Sequence, residues 1–361
     1  YISELYLKSN NYQTSFGYLC DAIENLNKYS MYSFLENRIL PSRALFDLAI
    51  SQNLNKKLVK EIGERFISRR DLPFLREEYL MELNGKIARF IDISFRCFGN
   101  TELYLRGDLV AEDKWIRKKS KILLAYLMCD PQKIHTKDKI IDMFFLFDDM
   151  PADKADMAYH SAIYNIRTAL KIYDIKSDKP KRSKDKTYDY NPQYILYEDK
   201  SLRLNPDFFY TSDNVEFEKL YNKIKLPSLS IEEKITNSVK AIEMYKGDFL
   251  PGYYDSWCEE LRVKYKNMFI TLCEELIKLL ENDARYEEVV KYSELLLNED
   301  RLSDSTHISI INACVKLGNI KLAKSRFEIM LKIYDDELDE KPQPKTLEKI
   351  THILSEAAGP P

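Results

Sequence analysis

The sequence predicts a mainly α-helical, multidomain protein in which one small α+β module interrupts long helical stretches. Three observations carry this. At 361 residues the chain is too long for one typical domain. Apolar residues recur three and four apart through both ends, as helices require. Only the middle switches to short β-branched and aromatic runs punctuated by Gly-containing turns. The composition, 45% hydrophobic and 31% charged with 9 Gly, fits a folded, helix-rich chain. The expected divisions are 1–85, a helical-repeat-like segment; 86–206, the mixed module; and 207–361, a second helical array.

Residues 1–83 carry SFGYLCDAIENLNKY and RALFDLAISQNLNKKLVKEIGERFI, helical patterns broken at Pro41, Pro73 and Asn84-Gly85. Short helix pairs of this kind suggest a repeat array, or equally a plain helical spacer. The module then opens with IARFIDISFRCFG (87–99) and ELYLRGDLV (102–110), which read as short antiparallel strands around Gly99-Asn100 and Gly107-Asp108. KKSKILLAYLMC (118–129) is a helix ending before Asp130-Pro131, and TKDKIIDMFFLF (136–147) is a second with Thr136 as its N-cap. A third starts at Pro151, whose locked backbone suits a first turn. After it, KSDKPKRSKDK (176–186) holds six basic and two acidic side chains and reads as a loop. QYILY–EDK–SLRLN (193–205) then reads as a hairpin. Strands, three helices, loop and hairpin in this order make a winged helix-turn-helix, whose third helix is the one that enters a DNA major groove.

Beyond Pro206 the pattern is helical to the end. RYEEVVKYSELLL (285–297) and NIKLAKSRFEIML (319–331) align at an offset of 34, pairing Val289 with Ala323, Leu295 with Ile329 and Leu297 with Leu331. That period is the one of tetratricopeptide-like helix pairs. Tyr253, Tyr254 and Trp257 beside Pro251 are expected to anchor the first helices of this array.

Charge is uneven. Net charge over the chain is −3, yet residues 86–206 carry 23 basic against 18 acidic side chains, and 207–361 carry 21 against 29. A positive module beside an acidic array points to a polyanionic partner for the module. Six scattered cysteines and four histidines give no metal-ligand spacing and no disulfide framework, so reduced thiols are expected. GxxxxGK[ST] and GxGxxG are both missing, and no nucleophile–base pair can be named. The expectation is a non-enzyme without cofactor or metal. With no apolar run of 18 residues and no signal peptide, a cytoplasmic chain with no membrane contact is expected. Because it begins at Tyr1, it is expected to be a piece of something longer.

KKSKILLAYLM, TKDKIIDMFF, IYNIRTALK and YILYEDKSLRLNPD together resemble the OmpR-type winged helix. EFEKLYNK (216–223), AIEMYKGDFLPGYYDSWCEELRVKY (241–265) and the 34-residue repeats resemble the bacterial transcriptional activator domain. The most specific piece holds Tyr245, Gly247, Asp248, Leu250, Pro251 and Trp257, followed by the helix with Arg262. In this order the two resemble SARP-type transcriptional regulators, over about residues 88–355. The N-terminal helices are similar to the repeat tail of larger MalT-like regulators. The resemblance implies binding to double-stranded DNA, with helical domains for signalling, self-association or RNA polymerase contact. It also implies arginines along the third helix. Here the corresponding positions are His160, Asn165 and Thr168, so only Arg167 and Lys171 carry fixed charge. An alternative therefore stays open: a helical-repeat interaction scaffold whose winged helix no longer binds DNA.

The DNA-contact residues expected are His160, Tyr164, Asn165, Arg167 and Lys171 on the third helix, with Lys181, Arg182 and Lys184 in the basic loop. Arg167 can read guanine with two donors or grip phosphate, and Asn165 can pair with adenine. Tyr164 and His160 can donate to phosphate or pack on sugar. Lys118, Lys119 and Lys121 form a further basic group that meets either the backbone or solvent.

Overall fold

The computed structural model describes Tyr18, Asp21 and residues 91–146, 151–170, 193–206 and 208–358. Tyr18 and Asp21 are helical; the rest of the expected 1–85 segment and the basic loop lie outside the described residues. The described chain is mainly helical, with a small sheet region ahead of a helical array. It divides into two compact units: Tyr1–Arg96 with Glu102–Ser212, and Cys97–Thr101 with Asp213–Pro361.

The first unit opens with strands β1 (Ile93–Arg96), β2 (Glu102–Leu105) and β3 (Asp108–Leu109). Ile93 and Phe95 alternate into the core while Arg96 faces out, the period-2 pattern of a half-buried strand. The β2–β3 turn is Arg106-Gly107, both left-handed (φ 50° and 87°), the primed turn whose twist matches two antiparallel strands. Three helices follow: α1 (Lys118–Cys129), α2 (Lys137–Phe144) and α3 (Ala152–Ala169), with β4 (His135–Thr136) between the first two. Thr136 Oγ1 accepts from Lys139 N–H at 3.4 Å, so the expected N-cap of α2 forms. The hairpin is β5 (Ile195–Glu198) and β6 (Ser201–Leu204), turning through left-handed Asp199 and Lys200.

Two pairings were not legible in the sequence. β4 adds to the hairpin, giving a three-stranded sheet β4-β6-β5. A further strand, β7 (Tyr210–Ser212), lies parallel to β1 and completes the sheet β3-β2-β1-β7. The unit therefore runs to Ser212, past residue 206, because ladder bonds to β1 hold that strand. α1 packs against α3, β6 and β7, and α2 against α3 and β4. Leu123, Leu124, Tyr159, Ile166, Tyr194 and Ile195 fill the space between them.

The second unit is an up-and-down array of α4 (Asp213–Ile224), α5 (Ile231–Met244), α6 (Ser256–Asn282), α7 (Tyr286–Glu299), α8 (Asp304–Lys316), α9 (Ile320–Leu338) and α10 (Pro344–Ala358). Each of α4 to α9 packs on the next, and α10 closes on α8 and α9. The 34-residue period is built into the backbone. Ala284 and Gly318 are both left-handed (φ 56° and 76°) and end α6 and α8 in the same way. Arg285 N–H donates to Leu280 C=O and Asn319 N–H to Cys314 C=O, each at 2.9 Å, the six-to-one bond of a Schellman cap. Burial repeats as well: Leu276, Ile277 and Leu280 correspond to Ile310, Ile311 and Cys314, and Leu296 to Met330, all buried. The expected pairs hold in part. Val289 and Ala323 are buried, but Leu295 and Ile329 both face solvent, because the inward position is the next one along.

Two polar clamps organise the start of this unit. Asp213 accepts Cys97 N–H at 2.8 Å, Phe98 N–H at 3.1 Å and Asn214 N–H at 2.9 Å. Phe98, 3% exposed, sits among Phe217, Tyr245, Phe249 and Tyr265 with ring centroids 5.1–6.2 Å away. Arg262 donates to the carbonyls of Phe249, Leu250 and Tyr253 at 3.1, 3.0 and 2.7 Å and pairs with Glu259. Trp257 is buried as expected and Tyr253 half-buried, but Tyr254 is 80% exposed, with the Arg262 guanidinium over its ring at 6.0 Å. Burial pushes the Cys258 thiol up to about 12, so it stays protonated at neutral pH.

Candidate nucleic-acid interface

The outward face of α3 is set by its inward one. Ala155, Tyr159, Ala162, Ile163, Ile166 and Ala169 are buried, which fixes the helix about its own axis. Tyr159 is the centre of that contact: fully buried, and edge-on to Phe145 and Tyr197 at 6.3 and 5.7 Å. Burial also pushes its phenol well above the usual tyrosine range. The facing positions His160, Tyr164 and Arg167 are left exposed. Met157, 70% exposed, continues the stripe one turn towards the N-terminus. Its spacing of three residues from His160 would have revealed it in the sequence.

Of the expected contact residues, His160, Tyr164 and Arg167 lie together on this face. Asn165 is 8% exposed and reaches the surface only where it lines a shallow cleft of about 380 Å³ with Ile116, Arg117, His160, Ser161 and Tyr164. Lys171, Lys181, Arg182 and Lys184 lie outside the described residues. Lys121 faces inward, 4% exposed, and pairs with Glu112. Arg117 instead lines the cleft beside the stripe with His160 and Tyr164, and in the sequence the run Trp115-Ile116-Arg117-Lys118 is the signal for it.

Charges on the stripe are largely committed. Lys137, the first residue of α2, pairs with Asp156 of α3, and its Nζ lies 3.3 Å from His160 Nε2. The ammonium can only donate, so this contact uses the His160 tautomer with its proton on Nδ1. Asp156 Oδ2 lies 3.5 Å from the same nitrogen. The hydrogen bond between Lys137 and Asp156 lifts the Lys137 pKa and lowers that of Asp156. Arg167 Nη2 donates to the Ile195 carbonyl at 3.1 Å, tying the end of α3 to the hairpin. Lys137 N–H donates to the Lys200 carbonyl at 2.8 Å, which ties the hairpin tip to α2. Helix and hairpin are thus held in one geometry by named bonds.

Residues 213–354 match the family model of the bacterial transcriptional activator domain. The match begins at Asp213, the first residue of α4, and covers the helical array with its Arg262 clamp. No curated protein matches the chain. Among solved structures the chain is similar to Mycobacterium tuberculosis EmbR, determined in complex with a low-affinity phosphopeptide, at 16% identity and a TM-score of 0.52. The similarity covers 73% of this chain and 65% of that one, so it spans less than two thirds of EmbR. At that identity it shows a shared fold. Among the described residues no helix is long and apolar enough to cross a membrane, and no cluster of His, Cys, Asp or Glu could hold a metal ion.

Proposed function

We propose that the chain is a DNA-binding transcriptional regulator of the SARP type. In this reading residues 86–206 act as the winged helix-turn-helix. Helix α3 lies in the major groove, and the β5–β6 wing, with the 176–186 loop, lies on the backbone. The helical segments, 1–85 and 207–361, serve signalling, self-association or RNA polymerase contact in the cytoplasm. The supporting observation is the outward stripe His160–Tyr164–Arg167, held against a wing in a chain whose residues 213–354 match an activator domain. Nothing in this role calls for catalysis or a cofactor.

Binding to a random-sequence duplex, followed by fluorescence anisotropy across a salt series, tests it. Affinity should fall steeply with salt, since each neutralised phosphate adds about 0.9 to the log–log slope. Arg167→Ala should lower affinity, and Lys181→Gln with Arg182→Gln should flatten the slope. No binding at low salt would leave the second reading, an interaction scaffold. That reading is favoured by the exposed Met157, Tyr164 and Ile116 and by the Lys137–Asp156 pair, which uses up a cation.

A further inference from the structure

We propose that the cleft between the N-terminus of α1 and the flank of α3 is a binding site for a sugar-borne phosphate, with the duplex backbone as its source. The choice of source rests on the DNA-binding reading; the oxyanion chemistry does not. The cleft measures about 410 Å³. Arg117, Lys118 and Lys119 form its rim, Phe145, Ala158 and Ala162 its apolar wall, and Ser120 completes it.

Three independent features select an anion. First, α1 starts with the N–H groups that have no acceptor within the helix, at the positive end of its dipole. Its N-cap, Arg117, makes no side-chain cap, and its first turn holds no acidic residue; of the lysines there, Lys119 Nζ donates to the Phe144 carbonyl at 3.1 Å and Lys121 pairs with Glu112, which leaves Lys118. Cations at that end are disfavoured unless an anion sits among them. Second, Ser120, in that same turn, is fully buried, and its hydroxyl has no hydrogen-bond partner. Thr136, by contrast, spends its hydroxyl on capping α2. A buried hydroxyl without a partner is unfavourable, and Ser120 lines the cleft, where an oxyanion would accept from it. Third, Arg117 and Lys118 are exposed and enter none of the ion pairs among the described residues, whereas Lys121 is turned inward to Glu112.

The wall chooses between a bare ion and a larger ligand. Phe145, Ala158 and Ala162 suit the apolar face of a deoxyribose better than they suit water. Arg117 also lines the neighbouring cleft with His160 and Tyr164. A phosphate held here therefore lies beside the α3 stripe, as a backbone flanking an occupied groove requires.

The full chain is titrated with inorganic phosphate while the Lys118 and Lys119 amides are followed by NMR, and separately with a random-sequence duplex across a salt series. Saturable shifts at those amides at millimolar phosphate, weakened about tenfold in Ser120→Ala, are expected. With the duplex, Arg117→Gln combined with Lys118→Gln should reduce the log–log slope by about two. Those two positions are exposed, so they carry the test if Ser120→Ala does not fold. Phosphate shifts without duplex binding support the oxyanion site, assign it to a free phosphorylated molecule, and overturn the duplex as its source. Duplex binding with an unchanged slope and no phosphate shifts overturns the site and leaves the DNA-binding reading standing.

Discussion

Arg262→Ala is the most demanding test of the helical array. The guanidinium is 13% exposed and serves three carbonyls, those of Phe249, Leu250 and Tyr253, in a loop whose other backbone ties include Leu250 N–H to the Cys97 carbonyl at 2.8 Å and Gly99 N–H to the Asp248 carbonyl at 3.0 Å. Leu250 is held left-handed at φ 45°, so the loop does not keep this shape by local preference. A hydrogen bond to a charged group contributes about 1.5–3 kcal/mol, which sets an upper range of about 4.5–9 kcal/mol for three. Pro251 and Gly252 are exposed, so water can reach part of the loop after truncation. Losing the Glu259 pair adds little, because surface pairs contribute about 0–1 kcal/mol. The expected cost is therefore about 3–4 kcal/mol. Urea unfolding monitored by Trp257 fluorescence, in a Trp115→Phe background, reads this unit alone, since the chain has two tryptophans. Arg262→Lys should recover only a minor part, because one ammonium cannot reproduce the fork. A cost below about 1 kcal/mol, or full recovery by lysine, would refute the clamp.

Three further outcomes follow from single contacts. A Cβ at Gly99 would lie 2.7 Å from the Lys246 carbonyl at φ 78°, so Gly99→Ala should cost about 2–4 kcal/mol in the same unfolding assay. Gly318 has open space around it, so Gly318→Ala should cost only about 1 kcal/mol, while Ala284→Gly, at the matching repeat position, should add about 0.5–1 kcal/mol. His135 is 3% exposed with neither ring nitrogen hydrogen-bonded, and burial, aided by Lys133 and Lys139, lowers its pKa to about 4. The unfolded chain then takes up the proton first. Stability should be complete above pH 6.5 and fall as pH drops towards 4, by about 3 kcal/mol in all. His135→Phe should remove that slope from the Trp115-monitored unit, and an unchanged slope would show that His135 is hydrated or paired.

The helices were legible because each declares itself locally. Lys118–Cys129 ends where Asp130-Pro131 forbids continuation, Thr136 caps, and Pro151 opens α3. The hairpins were legible too, through Gly107 and the polar Asp199-Lys200 turn. What escaped is non-local. Cys97-Phe98-Gly99 reads as the end of a strand and a turn, yet Phe98 belongs to the aromatic core of the helical unit, held by Asp213 115 residues on. Tyr210–Ser212 is too short to read as a strand without β1 beside it. On the candidate interface the residue types gave the exposed face but not its internal pairing. The separation of Lys137 from Asp156 in sequence hides their contact.

That pairing changes where the affinity for a polyanion has to come from. Asp156 on α3 is balanced by Lys137, and Arg167 spends one nitrogen on the Ile195 carbonyl. If the chain binds DNA as proposed, the stripe would discriminate by shape and by the remaining donors of Arg167, and would bring few uncommitted cations to the phosphates. On the proposed reading the electrostatic part shifts to the flanks, to Arg117 and Lys118 at the start of α1 and to the basic run 176–186, since in the wing Arg203 already pairs with Glu198. Counterion release depends on how many phosphates are neutralised, not on which helix neutralises them. Reading and gripping would then be separable. Arg167→Ala should change discrimination between duplex sequences with a loss of about one in slope, whereas Arg117→Gln with Lys118→Gln should weaken every sequence alike. A third helix poor in arginine is consistent with DNA binding only if the flanks behave in that way.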